Sequence, residues 1–153
     1  MPIPDSIINK TLTSVTVTGR YIGPQAFRDQ TNLTRVDCDD LQIVDEASFL
    51  DCTGITTGSL SFSSLKYIGS SAFAGCTGLS GALNLTSAVY IGGNAFNRCT
   101  NLTEIKLGED MCVLYSTTAI PSSVTAIKVP SDRVEMYKTY PEWSDLASKI
   151  VSA

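Results

Sequence analysis

The sequence predicts a mainly β solenoid of about five stacked coils with a few short helices, and three observations support this fold class. A seven-residue pattern that ends in phenylalanine recurs four times, at intervals of 22, 24 and 23 residues. A short alternation of apolar and polar residues follows each copy. Hydrophobic residues make up 43% of the 153 residues, which is enough for a core, so disorder is not expected. A unit of this length cannot bury its apolar side alone, and the copies are therefore expected to stack.

The seven-residue pattern carries an apolar residue five positions before each phenylalanine. The four copies span 21–27, 43–49, 67–73 and 90–96. Three residues after each phenylalanine stand, in order, Gln30, Cys52, Cys76 and Cys99, followed by Thr-Asn or Thr-Gly turns. We expect an internal column made of Phe27, Phe49, Phe73 and Phe96. A fifth unit is degraded and has no phenylalanine, with Val113, Leu114 and Ala119 at its apolar positions.

The alternating stretches predict one short strand in each coil. They span 15–17, 36–38, 60–62, 83–85, 105–107 and 127–129. In each stretch the two outer residues are apolar and should point inward, so the middle residue points outward. Strands of successive coils should pair in parallel, about 4.8 Å apart.

The motifs resemble those of a known repeat family. The last full unit reads Leu102-Thr-Glu-Ile105-Lys-Leu107, which is the L-x-x-L-x-L core of a leucine-rich repeat. The pattern Ile-Gly-x-x-Ala-Phe-x-x-Cys-Thr-x-Leu resembles the BspA-like, or Treponema-type, leucine-rich repeats of bacterial surface proteins over residues 15–129. Residues 129–138 and 143–146 are similar to the terminal segment of such proteins in gut bacteria, and related repeats occur in phage virion proteins. Gln30, Ser48 and the fifth unit depart from the pattern.

The resemblance implies a right-handed leucine-rich-repeat solenoid whose role is attachment. The expected partners are a host or bacterial surface protein or a glycan. The expected location is the cell surface or the extracellular space, or a virion.

The two ends of the repeat array are predicted to differ. We expect one domain over 1–153, with repeats in 11–130 and a C-terminal helical cap in 131–153. Ser131 is a candidate N-cap, Pro141 should end the first helix at Tyr140, and the apolar spacing predicts two helices. The residues expected on their apolar sides are Val134, Tyr137 and Tyr140 in the first helix, and Trp143, Leu146 and Ile150 in the second. A ligand-stacking role is the alternative for Trp143.

The N-terminal end has no comparable cap. Ile3, Ile7 and Ile8 are candidates for covering the first coil, but Pro2 and Pro4 would break a helix there. A weakly covered first strand is an edge that can pair with another strand, which fits a chain that is part of a longer one. The first residues also lack the pattern of a secretory signal.

Composition argues against several classes of function. The net charge is -4, whereas nucleic-acid binding needs clustered basic residues. The chain has no histidine, which removes the commonest general base and the commonest transition-metal ligand. No apolar run reaches 18 residues, so membrane insertion is not expected. We find no paired carboxylates of the kind that a glycosidase needs outside the acidic residues of 37–51, and we expect neither an enzyme nor a cofactor.

The cysteines and the acidic residues have structural and functional interpretations. Cys52, Cys76 and Cys99 share one repeat position and are expected to be reduced core thiols, with a disulfide or a metal site as alternatives. Cys38 should also point inward, whereas Cys112 is harder to place. The acidic residues within 37–51 are expected to be solvated, with calcium binding as the alternative. Four Asn-x-Thr triplets, at Asn9, Asn32, Asn84 and Asn101, weakly suggest glycosylation.

The outward positions of the strands form the candidate ligand surface. Strand alternation predicts two outward rows, which are Thr16, Asp37, Ser61, Asn84, Lys106 and Lys128, and Ser14, Arg35, Ser59, Ala82, Glu104 and Ala126. We select as ligand-binding candidates Asp37, Ser61, Asn84, Lys106, Lys128, Arg35 and Glu104. The alternatives are a merely solvated face and a structural spacer or assembly domain of a bacterial surface or phage virion protein.

A column of tyrosines is predicted on another outer side of the coils. Tyr21, Tyr67 and Tyr90 directly precede inward residues, and Ile43 and Val113 occupy the same position in the other units. The column is interpreted either as a self-packing ladder or as an exposed aromatic surface for a carbohydrate or a protein.

Overall fold

The computed structural model describes residues 12–153, which are mostly strands and turns with a few short helices. Residues Ile3, Ile7, Ile8 and Asn9, on which predictions were made, lie outside the described part. The strands in chain order are β1 (Ser14–Thr16), β2 (Tyr21–Ile22), β3 (Arg35–Asp37), β4 (Ile43–Val44), β5 (Tyr67–Ile68), β6 (Ser80–Leu85), β7 (Tyr90–Ile91), β8 (Asn101–Leu107), β9 (Val113–Leu114), β10 (Ala126–Val129) and β11 (Ile150–Ser152). The α-helix α1 spans Val134–Thr139, and 3-10 helices span Phe62–Ser64, Thr117–Ala119, Ser131–Arg133 and Ser144–Lys149.

The strands of the repeat units pair in parallel with equivalent strands of neighbouring units. The predicted strands β1 and β3 form a two-stranded sheet, and the predicted strands β6, β8 and β10 form a four-stranded sheet with the terminal strand β11, in the order β11-β10-β8-β6. A second set of two-residue strands forms a five-stranded sheet in the order β2-β4-β5-β7-β9. The sequence predicted one strand in each unit, whereas most units contain two. The additional strands are too short to show an alternation of their own, which is why their pattern was not recognised.

The third unit interrupts the predicted series of strands. Residues 60–62 were expected to form a strand, but they run instead into the 3-10 helix Phe62–Ser64. Four residues separate Ile55 from Leu60, whereas two separate Leu33 from Val36 at the same point of the second unit. The additional length folds into a turn, in which the Ser59 amide donates to the carbonyl of Thr56 over 3.0 Å.

Despite this interruption, the core continues through the third unit. Leu60 and Phe62 are both buried, and the ring centroid of Phe62 lies 5.1 Å from that of Phe73. Buried apolar side chains from Ile22 to Ile150 form one cluster. The core packing of side chains is therefore maintained in the third unit, although the backbone hydrogen bonds between strands are interrupted there.

The phenylalanine column is confirmed. Phe27, Phe49, Phe73 and Phe96 stack in order with centroid separations of 5.4, 5.3 and 5.6 Å. The last three are fully buried, whereas Phe27 is half-buried at the N-terminal end of the column. The apolar residues five positions earlier, from Ile22 to Ile91, are buried as well.

The cysteine column is interior, as predicted. Cys52, Cys76 and Cys99 have no exposed surface. Their thiols donate to the carbonyl oxygen of the phenylalanine in the preceding unit, over 2.9, 3.1 and 3.0 Å respectively. All five cysteines carry free thiols. Burial raises the pKa of all three column thiols, to about 12 for Cys52 and Cys99.

The other two cysteines differ from each other. Cys112 is fully buried, and burial raises the pKa of its thiol to about 12. Cys38 was expected to point into the core but is only half-buried, and its thiol donates to the carbonyl of Gly19 over 3.1 Å. Cys38 directly follows β3 of the two-stranded sheet, near the N-terminal end of the described chain, where fewer units cover it.

The C-terminal segment, residues 131–153, is partly as predicted. The helix α1 ends at Thr139, and the following Tyr140 has the extended backbone (ψ 129°) that a following proline favours, as predicted. Ser131 is not an N-cap, because the 3-10 helix that begins there is preceded by Pro130 and has no side-chain cap. Tyr140 is not on a buried side, since it is 39% exposed.

The end of the chain forms a strand, which the sequence did not predict. The second predicted helix is a 3-10 helix that stops at Lys149, and Ile150 begins β11. Ile150 pairs with Ile127 of β10, so the last residues extend the four-stranded sheet. Backbone pairing with β10 therefore overrides the helical spacing of Trp143, Leu146 and Ile150. Within residues 12–153, no helix has the length and apolar character needed to cross a membrane.

Trp143 and Tyr137 attach the C-terminal segment to the fifth unit. Both side chains are fully buried, and their rings meet edge to face at 5.4 Å. The Trp143 indole donates to the carbonyl of Cys112 over 2.8 Å, and the Cys112 amide donates to the Tyr137 hydroxyl over 2.9 Å. The prediction that Trp143 is a buried residue over the last unit is confirmed.

Candidate binding surface

Three of the predicted ligand-binding residues lie side by side on one sheet. Asn84 on β6 is in register with Lys106 on β8, and Lys106 is in register with Lys128 on β10. We name these three residues the lysine row. Asn84 and Lys106 are exposed and Lys128 is half-buried. Parallel pairing brings together residues that are 22 positions apart in the chain.

Only one of the two lysines in the lysine row has an ion-pair partner within the described residues. Glu104 lies in the adjacent row, between Ala82 and Ala126, and its carboxylate is 3.2 Å from the Lys128 ammonium group. Lys106 has no ion-pair partner within the described residues. Two lysines at neighbouring positions of a sheet repel each other, and Glu104 offsets this repulsion for Lys128. The exposed charge of Lys106 remains available to an anionic group.

The other predicted candidates do not join this row. Arg35 and Asp37 lie on β3 in the separate two-stranded sheet, where they form an ion pair with each other over 2.8 Å. Ser61 is exposed but belongs to no strand. Six of the seven candidates therefore fall into two groups, on either side of the interruption in the third unit, and Ser61 lies in the interruption itself.

The interruption creates a shallow cleft on the same side as the lysine row. It has a volume of about 300 Å³, and its lining includes Thr57, Ser61, Ala82 and Asn84. Ser59, which was predicted to point outward, is buried instead, because its hydroxyl accepts a hydrogen bond from the Thr56 amide over 2.8 Å. The turn that removes Ser59 from the surface thus also shapes the cleft beside Asn84.

Four of the six acidic residues within 37–51, namely Asp37, Asp40, Asp45 and Asp51, contact basic or phenolic groups. Asp40 pairs with Arg20 and Asp51 with Arg98, each over 2.9 Å. The Tyr21 hydroxyl donates to Asp45 over 2.6 Å, and this hydrogen bond raises the pKa of Tyr21. These contacts leave the acidic side as a set of separate pairs.

The tyrosine column forms a continuous outer row, in which Tyr21, Tyr67 and Val113 are exposed and Ile43 and Tyr90 are half-buried. We name as the tyrosine row Tyr21, Ile43, Tyr67, Tyr90 and Val113, which are in register along the five-stranded sheet. The rings of Tyr67 and Tyr90 stack at 4.7 Å with an interplanar angle of 6°. The interpretation as a self-packing ladder is therefore supported for this pair.

A fourth tyrosine lies beside this row and was missed from the sequence. Tyr115 is 72% exposed, the largest value among the exposed large apolar residues of the described chain. Its backbone amide donates to Ile91 over 3.0 Å, so it continues the pairing of β9 with β7. Counting two residues on from Val113 would have placed it on the outer side, but the degraded fifth unit hid this signal.

The comparisons with known proteins agree with the repeat geometry. A family model described as a BspA type leucine-rich repeat region matches residues 6–118 in six copies. No curated protein sequence matches the chain. Among solved structures, the chain is similar to a leucine-rich repeat protein from Bacteroides ovatus ATCC 8483, with a TM-score of 0.68 and 23% identity. That similarity covers all of this chain and 42% of the other protein, so the chain spans less than half of its length. The chain belongs to the family of BspA-type leucine-rich repeat proteins, as its motifs predicted.

Proposed function

We propose that the chain is a non-catalytic binding module that adheres to a host or bacterial surface protein or to a glycan. The contact is made through the lysine row and the adjacent Glu104. The observation that carries this proposal is the exposed Lys106, which lies between Asn84 and the ion-paired Lys128 on a regular parallel sheet.

The family supports binding rather than catalysis. Leucine-rich repeats of this type are generally non-catalytic and suggest a role in protein interactions. Neighbouring strands of a sheet place equivalent side chains about 4.8 Å apart, and this regular spacing suits extended partners such as a peptide or a sugar chain. Lys106 adds a preference for a partner that carries a carboxylate, a sulfate or an acidic side chain.

We further propose a right-handed solenoid of about five coils with residues 131–153 as its C-terminal cap. The parallel pairing of equivalent strands and the burial of Tyr137 and Trp143 over Cys112 support this arrangement. The proposed location is the cell surface or the extracellular space, where an adhesive repeat is useful. A longer parent protein fits the 42% coverage of the Bacteroides ovatus structure.

The second candidate function is a structural spacer or an assembly domain of a surface or virion protein. It is favoured by β11, which ends the four-stranded sheet and presents the exposed side chain of Val151. A strand at the edge of a sheet can pair with another chain.

A glycan and matrix-protein array followed by one charge reversal tests the binding proposal. Lys106→Glu should weaken binding to the ligand found on the array by at least about tenfold, which is about 1.4 kcal/mol. It should also reduce the dependence of binding on salt, because one charge contact is lost. Lys138→Glu on α1 is the matched control and should bind as the wild type does.

Two outcomes would contradict the proposal. An array without any ligand would favour the spacer. Equal affinity and equal salt dependence for Lys106→Glu and the wild type would place the binding surface elsewhere on the molecule.

A further inference from the structure

The side of the molecule that carries the tyrosine row has a chemistry different from that of the lysine row. The sequence contains no Asp, Glu, Lys or Arg between Tyr67 and Asn97, nor between Met111 and Ile127. These two segments contain β5, β7 and β9 and the loops that follow these strands. The end of the tyrosine row from Tyr67 to Val113 is thus built from uncharged segments, whereas at its other end Tyr21 donates to Asp45.

The aromatic groups of this surface pack against one another or against the neighbouring backbone. The stacked Tyr67 and Tyr90 cover each other's facing sides, which leaves the ring edges and hydroxyl groups for other contacts. The Tyr115 ring lies against Gly93, where a Cβ atom would be 3.2 Å from the ring carbon Cδ1. With 72% of its surface exposed, the Tyr115 ring also presents a face to solvent. Gly93 leaves room for this ring, because even a Cβ atom there would be in tight contact with it, and a larger side chain would press further on it.

The polar groups around these rings are not used within the described chain. The hydroxyls of Tyr67, Tyr90 and Tyr115 form no hydrogen bond with any residue of 12–153, and neither does the exposed side-chain amide of Asn94. Burial raises the pKa of Tyr90, and the neighbouring Tyr67 and Tyr115 raise it further. The surface therefore offers one open aromatic face and several free donors and acceptors.

We propose that Tyr115, with Tyr67, Tyr90 and Asn94, forms a binding site for a neutral polysaccharide, separate from the lysine row. A pyranose ring has an apolar C–H face that packs on an aromatic ring and a rim of hydroxyls that bond to phenol and amide groups. Charge complementarity selects the neutral class, because a charged partner would lose hydration here without gaining an opposite charge. About one quarter of the residues of an average protein are charged, and such residues in a protein partner would find no opposite charge on this face.

Affinity electrophoresis on native gels that contain a neutral polysaccharide tests this site. The probes are a β-glucan, a mannan, a xylan and an α-glucan, none of which carries a uronic acid or a sulfate. At least one should retard the wild-type protein, and Tyr115→Ala should weaken that binding by at least about tenfold, as expected for loss of an aromatic contact at the centre of a site. Tyr115→Phe should retain most of the binding, because the stacking face remains.

Matched variants separate this site from the rest of the molecule. Tyr140→Ala removes a tyrosine from the C-terminal segment that is exposed to 39%, and it should bind as the wild type does. Gly93→Val should weaken binding, because the new side chain displaces the Tyr115 ring. Melting temperatures establish that each variant is folded, and Tyr115→Phe keeps the test valid if Tyr115→Ala is unstable.

Salt distinguishes this proposal from the function assigned to the lysine row. Binding of the neutral polysaccharide should change little between about 50 mM and about 500 mM NaCl and should be unaffected by Lys106→Glu, since no ion pair contributes. The proposal is overturned if none of the four polysaccharides retards the protein or if Tyr115→Ala and Tyr140→Ala lose affinity equally. It is also overturned if Tyr115→Ala abolishes only a dimer or the binding of an array protein.

Discussion

The cysteine column illustrates how packing sets the chemistry of a single residue position. Each of its thiols fills a small space between two units and donates to a phenylalanine carbonyl of the preceding unit. The shared repeat position was enough to predict this burial from the sequence. Gln30 occupies the same position in the first unit, where its buried Oε1 accepts no hydrogen bond from the described residues. That acceptor is a local cost that a cysteine would not have.

Thiol labelling should divide the five cysteines into two classes. In native buffer with an excess of a small thiol reagent, the half-buried Cys38 should react first, because inert buried thiols need unfolding to react. The four fully buried thiols should be labelled only after denaturant is added. Mass spectrometry of the labelled peptides measures this, and Cys38→Ser should abolish the rapid phase. Rapid native labelling of Cys76 would contradict the interior column.

Alkaline pH should destabilise the protein through the same thiols. A thiol whose pKa is raised from 9.0 to about 12 keeps its proton in the folded state, while the unfolded chain releases its proton. The stabilisation is complete below about pH 9 and is lost as the pH rises toward 12, by up to about 1.4 kcal/mol per pH unit for each thiol. Urea titrations between about pH 8 and about pH 11, in the presence of a reductant, measure the slope.

The control for this pH dependence is a change in the number of buried thiols. Cys99→Ala should flatten the alkaline slope, whereas Cys38→Ala retains all four buried thiols and should leave the slope unchanged. An identical slope for Cys99→Ala and the wild type would show that tyrosine ionisation accounts for the loss.

At the scale of the element, the repeat is held by rings that stack from unit to unit. Phe73 contacts Phe49, Phe96 and Phe62, so it joins three units and also anchors the irregular third one. This last contact stabilises the segment in which the sheet is interrupted.

Replacement of Phe73 tests the role of the column. Phe73→Ala should lower the free energy of unfolding by about 3 to 5 kcal/mol, because a buried ring leaves a cavity. Phe27→Ala, at the half-buried end of the same column, should cost no more than about 2 kcal/mol. Denaturant titration of both variants measures the difference. A loss below about 1 kcal/mol for Phe73→Ala would contradict its place in the core.

The strand predicted in the third unit does not form because of how this segment is placed relative to the neighbouring elements. The alternation of residues 60–62 correctly identified two buried residues, Leu60 and Phe62. The alternation could not show whether the backbone of residues 60–62 would pair with the strands of the neighbouring units. Two additional residues before Leu60 shift the path of the chain, and the Thr56–Ser59 hydrogen bonds then favour a turn.

At the scale of the whole molecule, the C-terminal segment completes the structure that the repeats begin. Trp143 and Tyr137 satisfy both backbone groups of Cys112 in the degraded fifth unit, and β11 extends the four-stranded sheet. This unit lacks a phenylalanine, and the two aromatic side chains from the C-terminal segment pack beside it instead.

Removal of Trp143 tests the contribution of this segment to overall stability. Trp143→Ala should lower the free energy of unfolding by about 3 to 5 kcal/mol, through a cavity and an unpaired carbonyl at Cys112. Tyr140→Ala, at an exposed position of the same segment, should change it by no more than about 0.5 kcal/mol. Far-UV circular dichroism during thermal unfolding measures both. Equal melting temperatures for Trp143→Ala and the wild type would show that the repeats are stable without this contact.

The sequence by itself determined the family, the repeat period and the interior columns. These depend on which side chains recur at a fixed spacing, and a buried phenylalanine or cysteine must recur wherever a unit stacks on the next. Tertiary structure alone decided which outward residues meet. Lys106 and Lys128 lie in one row with Asn84, whereas Ser61 and Arg35 lie outside that row. Tyr115 lies beside the tyrosine row. The physical reason is that burial within each unit specifies which positions point inward. Which residues become neighbours on the surface depends instead on hydrogen bonds between units. Two additional residues in one turn can interrupt these hydrogen bonds.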